Sequence, residues 1–447
     1  MKRSFTRISL LVLILCLLLT ACQAAGPASS SEDDRKASGD GSSGAGERKV
    51  IRYVNWISAE MATRGMIDHL LAEFMKRNPG IAVENIAVPF AQCPTQLVVM
   101  AESGDMPDVV QMTGYWSALL ASQDVLEGLD DYVKRDNYIY DSYSQSFMDA
   151  AKYQDKLYAL PFALTPHGFW YNKQLMKEAG INSPPLTIHE LNVQLEAIKR
   201  ELGNKKVYGI GIDTTTTDYA LTGNWPYFWA FGAENLLADS HNPGFKDPSV
   251  LETLKWFGFV AKNNYTPIGM EIKIERELMA QNKIVYKLDG PYLKGILQDL
   301  NGDLKGERFD EVFGVTTIPT VQGVLPHTIA EIHSLGISTS SKEKEAAWKL
   351  MTFLASDNYS VTNYIIPMGM IPPQRSSIQH NKDRLFSPHM NTFLGEIAPY
   401  ARAIPYSPRL GTAGVHILEG LRDIFGGSDP AEVQKRVDGI LSEIYGN

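Results

Sequence analysis

Between Lys156 and Lys173 the chain runs as strand, break and strand, and this stretch limits the folds open to it. Leu157 to Phe162 is short, apolar and bounded, as a buried strand is. Thr165-Pro166-His167-Gly168 interrupts the pattern, since proline donates no backbone hydrogen bond and glycine carries no Cβ. A second, aromatic strand follows from Phe169 to Tyr171. Gln174 to Gly180 reads as a helix whose last residue suits the left-handed C-terminal position. After Pro184-Pro185, Thr187 and Glu190 have the spacing of a capping box. Such a break inside a chain of 447 residues predicts two α/β bodies rather than one core.

Upstream, Val50 to Trp56 is a β-branched and aromatic strand, and Ile67, Leu70, Leu71 and Phe74 mark one face of a helix. The helix stops at Asn78-Pro79-Gly80 and Ile81 to Glu84 is the next strand, which makes a βαβ unit and a parallel sheet. A helix from Thr95 to Ser103 and a third strand, Asp108 to Met112, follow. Ligands in open α/β sheets sit beyond the carboxyl ends of the strands, so Trp56, Tyr115 and Trp116 are candidates for one rim. Downstream, Val207 to Ile212 is a strand, and Trp225 to Phe231 packs five aromatic rings into seven residues. Lys283 to Leu288 is a strand running into Asp289-Gly290-Pro291-Tyr292. Ser340-Ser341-Lys342-Glu343 gives a second capping signal before a helix with Ala347, Leu350, Met351 and Leu354 on one face. Ala431 to Tyr445 closes the chain as an amphipathic helix.

The N-terminus reads as a leader: Lys2, Arg3 and Arg7, then twelve apolar-rich residues from Ile8 to Leu19, too short to span a bilayer. No later apolar run is long enough to span one. Residues 23–49 are Ala, Gly, Ser and mixed charges, a flexible tether with a coil reach of roughly 25–30 Å. The net charge of −9 becomes −12 once the three basic residues of the leader are removed, which argues against a nucleic-acid partner. Of the three cysteines, Cys16 lies in the leader, Cys22 follows it, and Cys93 is left as a small buried thiol without a disulfide partner.

Two resemblances add to this reading. Leu19-Thr20-Ala21-Cys22 matches the bacterial lipobox, which implies cleavage before Cys22 and lipidation of its thiol. An anchored binding protein is the arrangement expected where no outer membrane retains it, so the outer face of a Gram-positive cell membrane is the expected location. Two acyl chains bind a membrane stably where one binds marginally. The run KLYALP…YNKQLMKEAGI…PPLTIHEL resembles the crossover of the bacterial extracellular solute-binding proteins that include maltose-binding protein. Leu126 to Val133 and Phe313 to Pro319 are also similar to that family. The resemblance implies an α/β fold of two lobes, the type II periplasmic-binding-protein-like architecture, with a ligand cleft between lobes joined by crossover segments. It sets a leader over 1–21, the lipidated tether over 22–49, an N-terminal lobe over 50–162 and 318–356, and a C-terminal lobe over 163–317 and 357–447. A third crossing is expected near 356–362. It further implies a monomer that captures a carbohydrate, with an oligosaccharide as the leading expectation, and delivers it to an ABC permease.

A sugar ring offers apolar C–H faces and a belt of hydroxyls, so its site wants aromatic rings and hydrogen-bonding groups in a pre-formed cleft. The candidates for stacking are Trp56, Tyr115, Trp116, Trp225, Tyr227 and Trp229. Tyr292 is added because similar proteins carry a Gly-Pro-aromatic there with its ring in the cleft. The polar candidates are Thr165 and His167, at the crossover where similar proteins present a polar side chain to ligand, with Asp289 and Arg409. His167 reads equally as a satisfied buried histidine. Trp256 and Trp348 fall in helix patterns and read as core, and Asp130-Asp131 as a solvated helix start. Maltose-binding proteins carry acids after the third strand where this chain has Tyr115-Trp116, which puts maltose itself in doubt. No metal-ligand spacing and no phosphate-cradling loop is present, so no cofactor is expected and ATP belongs to a partner. The alternatives are an anchored carbohydrate-active enzyme, for which no carboxylate pair is nominated, and a receptor for a non-sugar solute such as a peptide.

Overall fold

The structure is a computed structural model, and it describes residues 48–113, 116–138, 145–238, 242–405, 407 and 409–446. The leader, Cys22, the tether to Glu47, and Tyr115 therefore lie outside the described residues.

Two sheets organise the rest. The first contains β1 (Lys49–Asn55), β2 (Ile81–Ala87), β3 (Val109–Thr113), β4 (Leu160–Leu164) and a strand from late in the chain, Ile332–Ile337. The second contains β5 (Gly168–Asn172), β6 (Tyr208–Gly211), β7 (Ile284–Asp289) and β8 (Phe313–Thr316). With the late strand as β9, the orders are β2-β1-β3-β9-β4 and β8-β5-β7-β6. β1 runs parallel to β2 and β3, as a βαβ start requires. β9 returns antiparallel between β3 and β4, pairing Leu335 with Gln111 and with Leu160. In the second sheet β5 is antiparallel to both neighbours, with Trp170 opposite Val315 and Lys287, while β6 is parallel to β7.

The chain leaves the first sheet at Leu164 and enters the second at Gly168, so Thr165-Pro166-His167 is the first crossing. It returns between Thr316 and Ile332. The third passage differs from expectation. Val361–Ile365 still packs on the first sheet's helices, α1 (Met61–Arg77) and the helix Lys344–Ser356, and Ile371 bridges to Leu164. Phe393–Ile397 is the segment that reaches β8. The apolar side chains of 361–371 find their burial on the first lobe, which outweighs the sequence boundary.

Local chemistry accounts for the helices. α1 buries Ile67, Leu70, Leu71 and Phe74, each contributing about 1.5–3 kcal/mol against exposure. α2 (Ile188–Leu202) starts with a complete capping box: Glu190 N donates to Thr187 Oγ1 at 3.1 Å, and Thr187 N donates to Glu190 Oε2 at 3.1 Å. Gly180 has φ +74°, the left-handed position its sequence context calls for. The second capping signal behaves differently: the helix starts at Lys344 with no side-chain cap, and Ser341 instead bonds Asp108 Oδ1 at 2.5 Å. Cys93 is buried and unpaired, with burial pushing its thiol up to about 12, so it is inert at neutral pH.

Gly168 is needed where the chain enters the second sheet. A Cβ there would lie 2.5 Å from Val315 Cγ2, 2.8 Å from Ile397 Cδ1 and 2.9 Å from Phe393 Cζ. Gly168→Ala is expected to cost about 1–3 kcal/mol in urea unfolding, because three apolar side chains from two segments must give way.

Candidate ligand-binding cleft

A cleft of about 390 Å³ opens between the sheets. The first lobe supplies Trp56, Ile57, Glu60 and Thr63, just after β1, and Phe90, just after β2. The second lobe supplies Tyr219 from the start of α3 (Asp218–Ala230), then Ile272, Lys273, Arg276 and Glu277 from α4 (Ile272–Ala280), and Tyr292 after β7. Glu331 comes from the end of the return crossing and His333 from the start of β9. Tyr364, Met368 and Met370 come from the segment that packs on the first lobe after the helix Lys344–Ser356. These positions follow from the topology, because strand ends from both sheets converge where the crossings meet.

The aromatic wall is built around Trp56. Its ring meets His333 at 5.1 Å, Phe90 at 5.4 Å and Trp116 at 5.8 Å, all edge to face. Phe90 and Tyr219 meet across the lobes at 6.3 Å, and Tyr292 stacks on His333 at 6.4 Å.

Two buried carboxylates anchor the polar side. Asp289, fully buried, takes a bidentate pair from Arg276: Nε to Oδ2 at 2.9 Å and Nη2 to Oδ1 at 2.8 Å. Burial pushes the Asp289 carboxyl up, but the adjoining guanidinium outweighs it and holds the group below the usual carboxylate range. The guanidinium also lies over the rings of Tyr292 at 5.3 Å and Tyr219 at 5.7 Å. Glu331, 5 % exposed, contacts Thr113 Oγ1 at 3.2 Å, His167 Nε2 at 3.2 Å and Thr165 Oγ1 at 3.4 Å. Burial raises the Glu331 carboxyl, yet His167 leaves it below its ordinary value. The Tyr219 hydroxyl links the two sets, 3.2 Å from Tyr292 Oη, 3.4 Å from His167 Nε2 and 3.5 Å from Asp289 Oδ1.

His333 faces the cleft as a neutral ring, pushed by burial down to about 4. Between its ordinary value near 6.5 and that value the unfolded chain takes up a proton that the folded chain refuses. Stability is therefore expected to fall as pH drops from 6.5 to 4, by about 3 kcal/mol at most, since cleft water screens part of the effect. Urea midpoints across that range check it, and His333→Gln should flatten the slope.

The structure distributes the sequence candidates over three places. Trp56 and Tyr292 line the cleft. Trp116, Thr165, His167 and Asp289 lie one layer behind, against Trp56, Glu331 and Arg276. Trp225, Tyr227 and Trp229 are corrected to a packing role: at 0–1 % exposure they fill the second lobe's core, with Tyr227 stacked on Trp256 at 5.2 Å. Arg409 is likewise away from the cleft, its Nη1 donating to the Tyr445 carbonyl at 2.9 Å on the closing helix. Sequence reasoning missed Phe90, Tyr219, Arg276, Glu331 and His333. Phe90 follows a strand end as Trp56 does, and the same rule could have found it; Tyr219, eight residues past β6 and already on α3, lies beyond that rule.

The chain belongs to the bacterial extracellular solute-binding protein family, whose model matches residues 62–359. A Brucella abortus protein with a provisional binding-protein name is 27% identical over 286 residues, which are 63% of this chain and 66% of that protein, so the chain spans just under two thirds of its length. Among solved structures, a Thermotoga lettingae ABC transporter solute-binding protein bound with α-D-tagatose superposes with a TM-score of 0.79 at 23% identity, over 89% of this chain and 100% of that one. Mycobacterium tuberculosis UgpB, in complex with glycerophosphocholine, gives 0.75 at 19%, over 90% and 98%. The fold is the two-lobed, type II binding-protein fold.

Proposed function

We propose that this protein is the lipid-anchored substrate-binding subunit of an ABC importer, and that its cleft captures a carbohydrate by closure of the two lobes and delivers it to a membrane permease. The observation that carries this reading is the make-up of the cleft: Trp56, Phe90, Tyr219 and Tyr292 as rings, with Arg276, Glu331 and His333 as hydrogen-bonding groups, drawn from both lobes and the crossings between them. Flat rings suit the C–H faces of a sugar and the polar groups its hydroxyls. A ligand touching both lobes only when they are closed stabilises that form by its differential affinity. The similarity to a tagatose-bound protein supports the same class of ligand.

An enzyme reading is less well supported. A glycosidase needs one carboxyl kept protonated as a general acid. The two buried carboxyls, Asp289 and Glu331, are both held below their ordinary values by Arg276 and His167, which does not suit either of them to that role.

A thermal-shift screen of mono- and oligosaccharides, amino acids, peptides and glycerophosphodiesters tests the ligand class, because a ligand that binds only the native form raises the midpoint. A shift with a sugar is expected; a shift with only non-sugars would overturn the reading. Anchorage has its own test. Cys22→Ser should release the protein into the medium of a Gram-positive host and abolish labelling by a fatty-acid probe.

A further inference from the structure

The cleft has two chemically different parts. Its polar groups are tied together: Arg276 bonds Asp289, the Tyr219 hydroxyl lies 3.2 Å from Tyr292 Oη, and the Tyr292 ring stacks on His333 at 6.4 Å. Past Tyr292 the wall changes. The helix that begins there, α5 (Leu293–Leu300), lines the cleft with Ile296 and Leu300, four and eight residues beyond Tyr292. That spacing places them about 6 and 12 Å further along the helix and on one of its faces. Leu293 and Leu297 are fully buried on the same helix, whereas Leu300 is 47% exposed. Leu300 is therefore apolar surface that the core does not use.

α4 packs beside α5, and Asn301 Nδ2 donates to the Ala280 carbonyl at 2.9 Å where the two helices end. α4 lines the same space with Lys273, Arg276 and Glu277. Met368 lines it from the first lobe, in a segment seated on the turn before α5: a Cβ on Gly369 would lie 2.9 Å from the Pro291 carbonyl oxygen. The cleft thus continues past its polar part as a groove with Ile296, Leu300 and Met368 as apolar lining, beside the exposed Lys273, Glu277 and Asp299.

This groove is a poor place for a further sugar ring. Neither α4 nor α5 carries an aromatic residue, so neither helix has a ring to stack on one. Hydroxyls set against Ile296, Leu300 and Met368 would give up water and find no partner there. A flexible alkyl chain suits these side chains, since methionine adapts its shape to what it meets.

We infer that the groove takes an apolar substituent of the ligand, so that the cargo is a glycoside with an aliphatic aglycone rather than a free sugar or a plain oligosaccharide. The inference rests on the carbohydrate reading and deepens it.

Calorimetric titration of the full chain tests it. The probes are the methyl, butyl and hexyl glycosides of glucose, galactose, mannose and maltose, each below its micelle concentration, with maltopentaose and hexanol as controls. Each fully buried methylene is worth about fourfold in affinity. For at least one sugar the hexyl glycoside is expected to bind at least tenfold tighter than the methyl glycoside and than maltopentaose, with the butyl glycoside between. Leu300→Asn should lower the hexyl-to-methyl ratio at least threefold. Arg276→Lys should weaken both glycosides by a similar factor and leave that ratio in place. Equal affinity for methyl and hexyl glycosides, tighter binding of maltopentaose, or a ratio unmoved by Leu300→Asn would overturn this inference and leave the carbohydrate reading standing. Hexanol bound as tightly as the hexyl glycosides, or no binding by any sugar probe, would overturn both.

Discussion

Replacing Asp289 by alanine is expected to lower the free energy of unfolding by about 3–5 kcal/mol and to weaken ligand binding at least a hundredfold. The carboxylate is fully buried and takes both hydrogen bonds from Arg276, whose side chain is only 14% exposed. Its removal leaves a mostly desolvated cation without its partner and frees the guanidinium to swing out of the cleft. The double substitution Asp289→Ala/Arg276→Met separates these effects: it should recover much of the stability, since no charge is then stranded, but none of the binding. The pH dependence has a definite sign. With the folded-state carboxyl below the ordinary aspartate value near 4, its contribution is complete above that value and fades as pH falls further. Urea denaturation gives the stability and calorimetry the affinity. A loss below 1 kcal/mol would mean that the pair is wetter than its burial indicates.

Trp170→Ala is expected to cost about 3–5 kcal/mol. Trp170 is fully buried in β5, with its ring 5.6 Å from Phe393, 5.8 Å from Phe309 and 5.9 Å from His389. Its indole N–H is shared between the carbonyls of Asp289 and Gly290, at 3.2 Å to each. The substitution therefore opens a cavity, removes one donor from each of two carbonyls, of which Gly290 O keeps the Leu293 N–H at 3.2 Å, and loosens the turn that presents Asp289 to Arg276. Trp170→Phe fills most of the cavity but still loses the N–H, so a smaller loss of about 1–2 kcal/mol is expected. Affinity should fall with both, because the turn itself is displaced. Equal affinity in all three chains would show that the turn is held by other contacts.

Elements set by neighbouring residues were legible in the sequence. The β1–α1–β2 unit, the capping box at Thr187, the break at Thr165 to His167 and the left-handed Gly180 are each written in a few adjacent side chains. The cluster from Trp225 to Phe231 was misread for a physical reason: from Trp225 to Ala230 α3 is buried on all its faces, as a core segment is, and only its first turn, at Tyr219, reaches the cleft. The cleft itself was less legible. Arg276, Glu331 and Tyr219 lie on three separate elements, and only long-range pairings such as Phe169 with Leu288 and Leu335 with Gln111 bring those elements together. No local pattern signals that Arg276 would meet Asp289, thirteen residues on. Arg409 looked free only because its partner, the Tyr445 carbonyl, is 36 residues away.

Hydrogen–deuterium exchange of the full chain, with and without a saturating sugar, tests most directly whether one ligand is held by both lobes at once. The account predicts simultaneous protection of Trp56 to Thr63 in the first lobe, Ile272 to Glu277 in the second, and the return crossing around Glu331 and His333. Protection confined to one lobe, with the crossing unchanged, would contradict it.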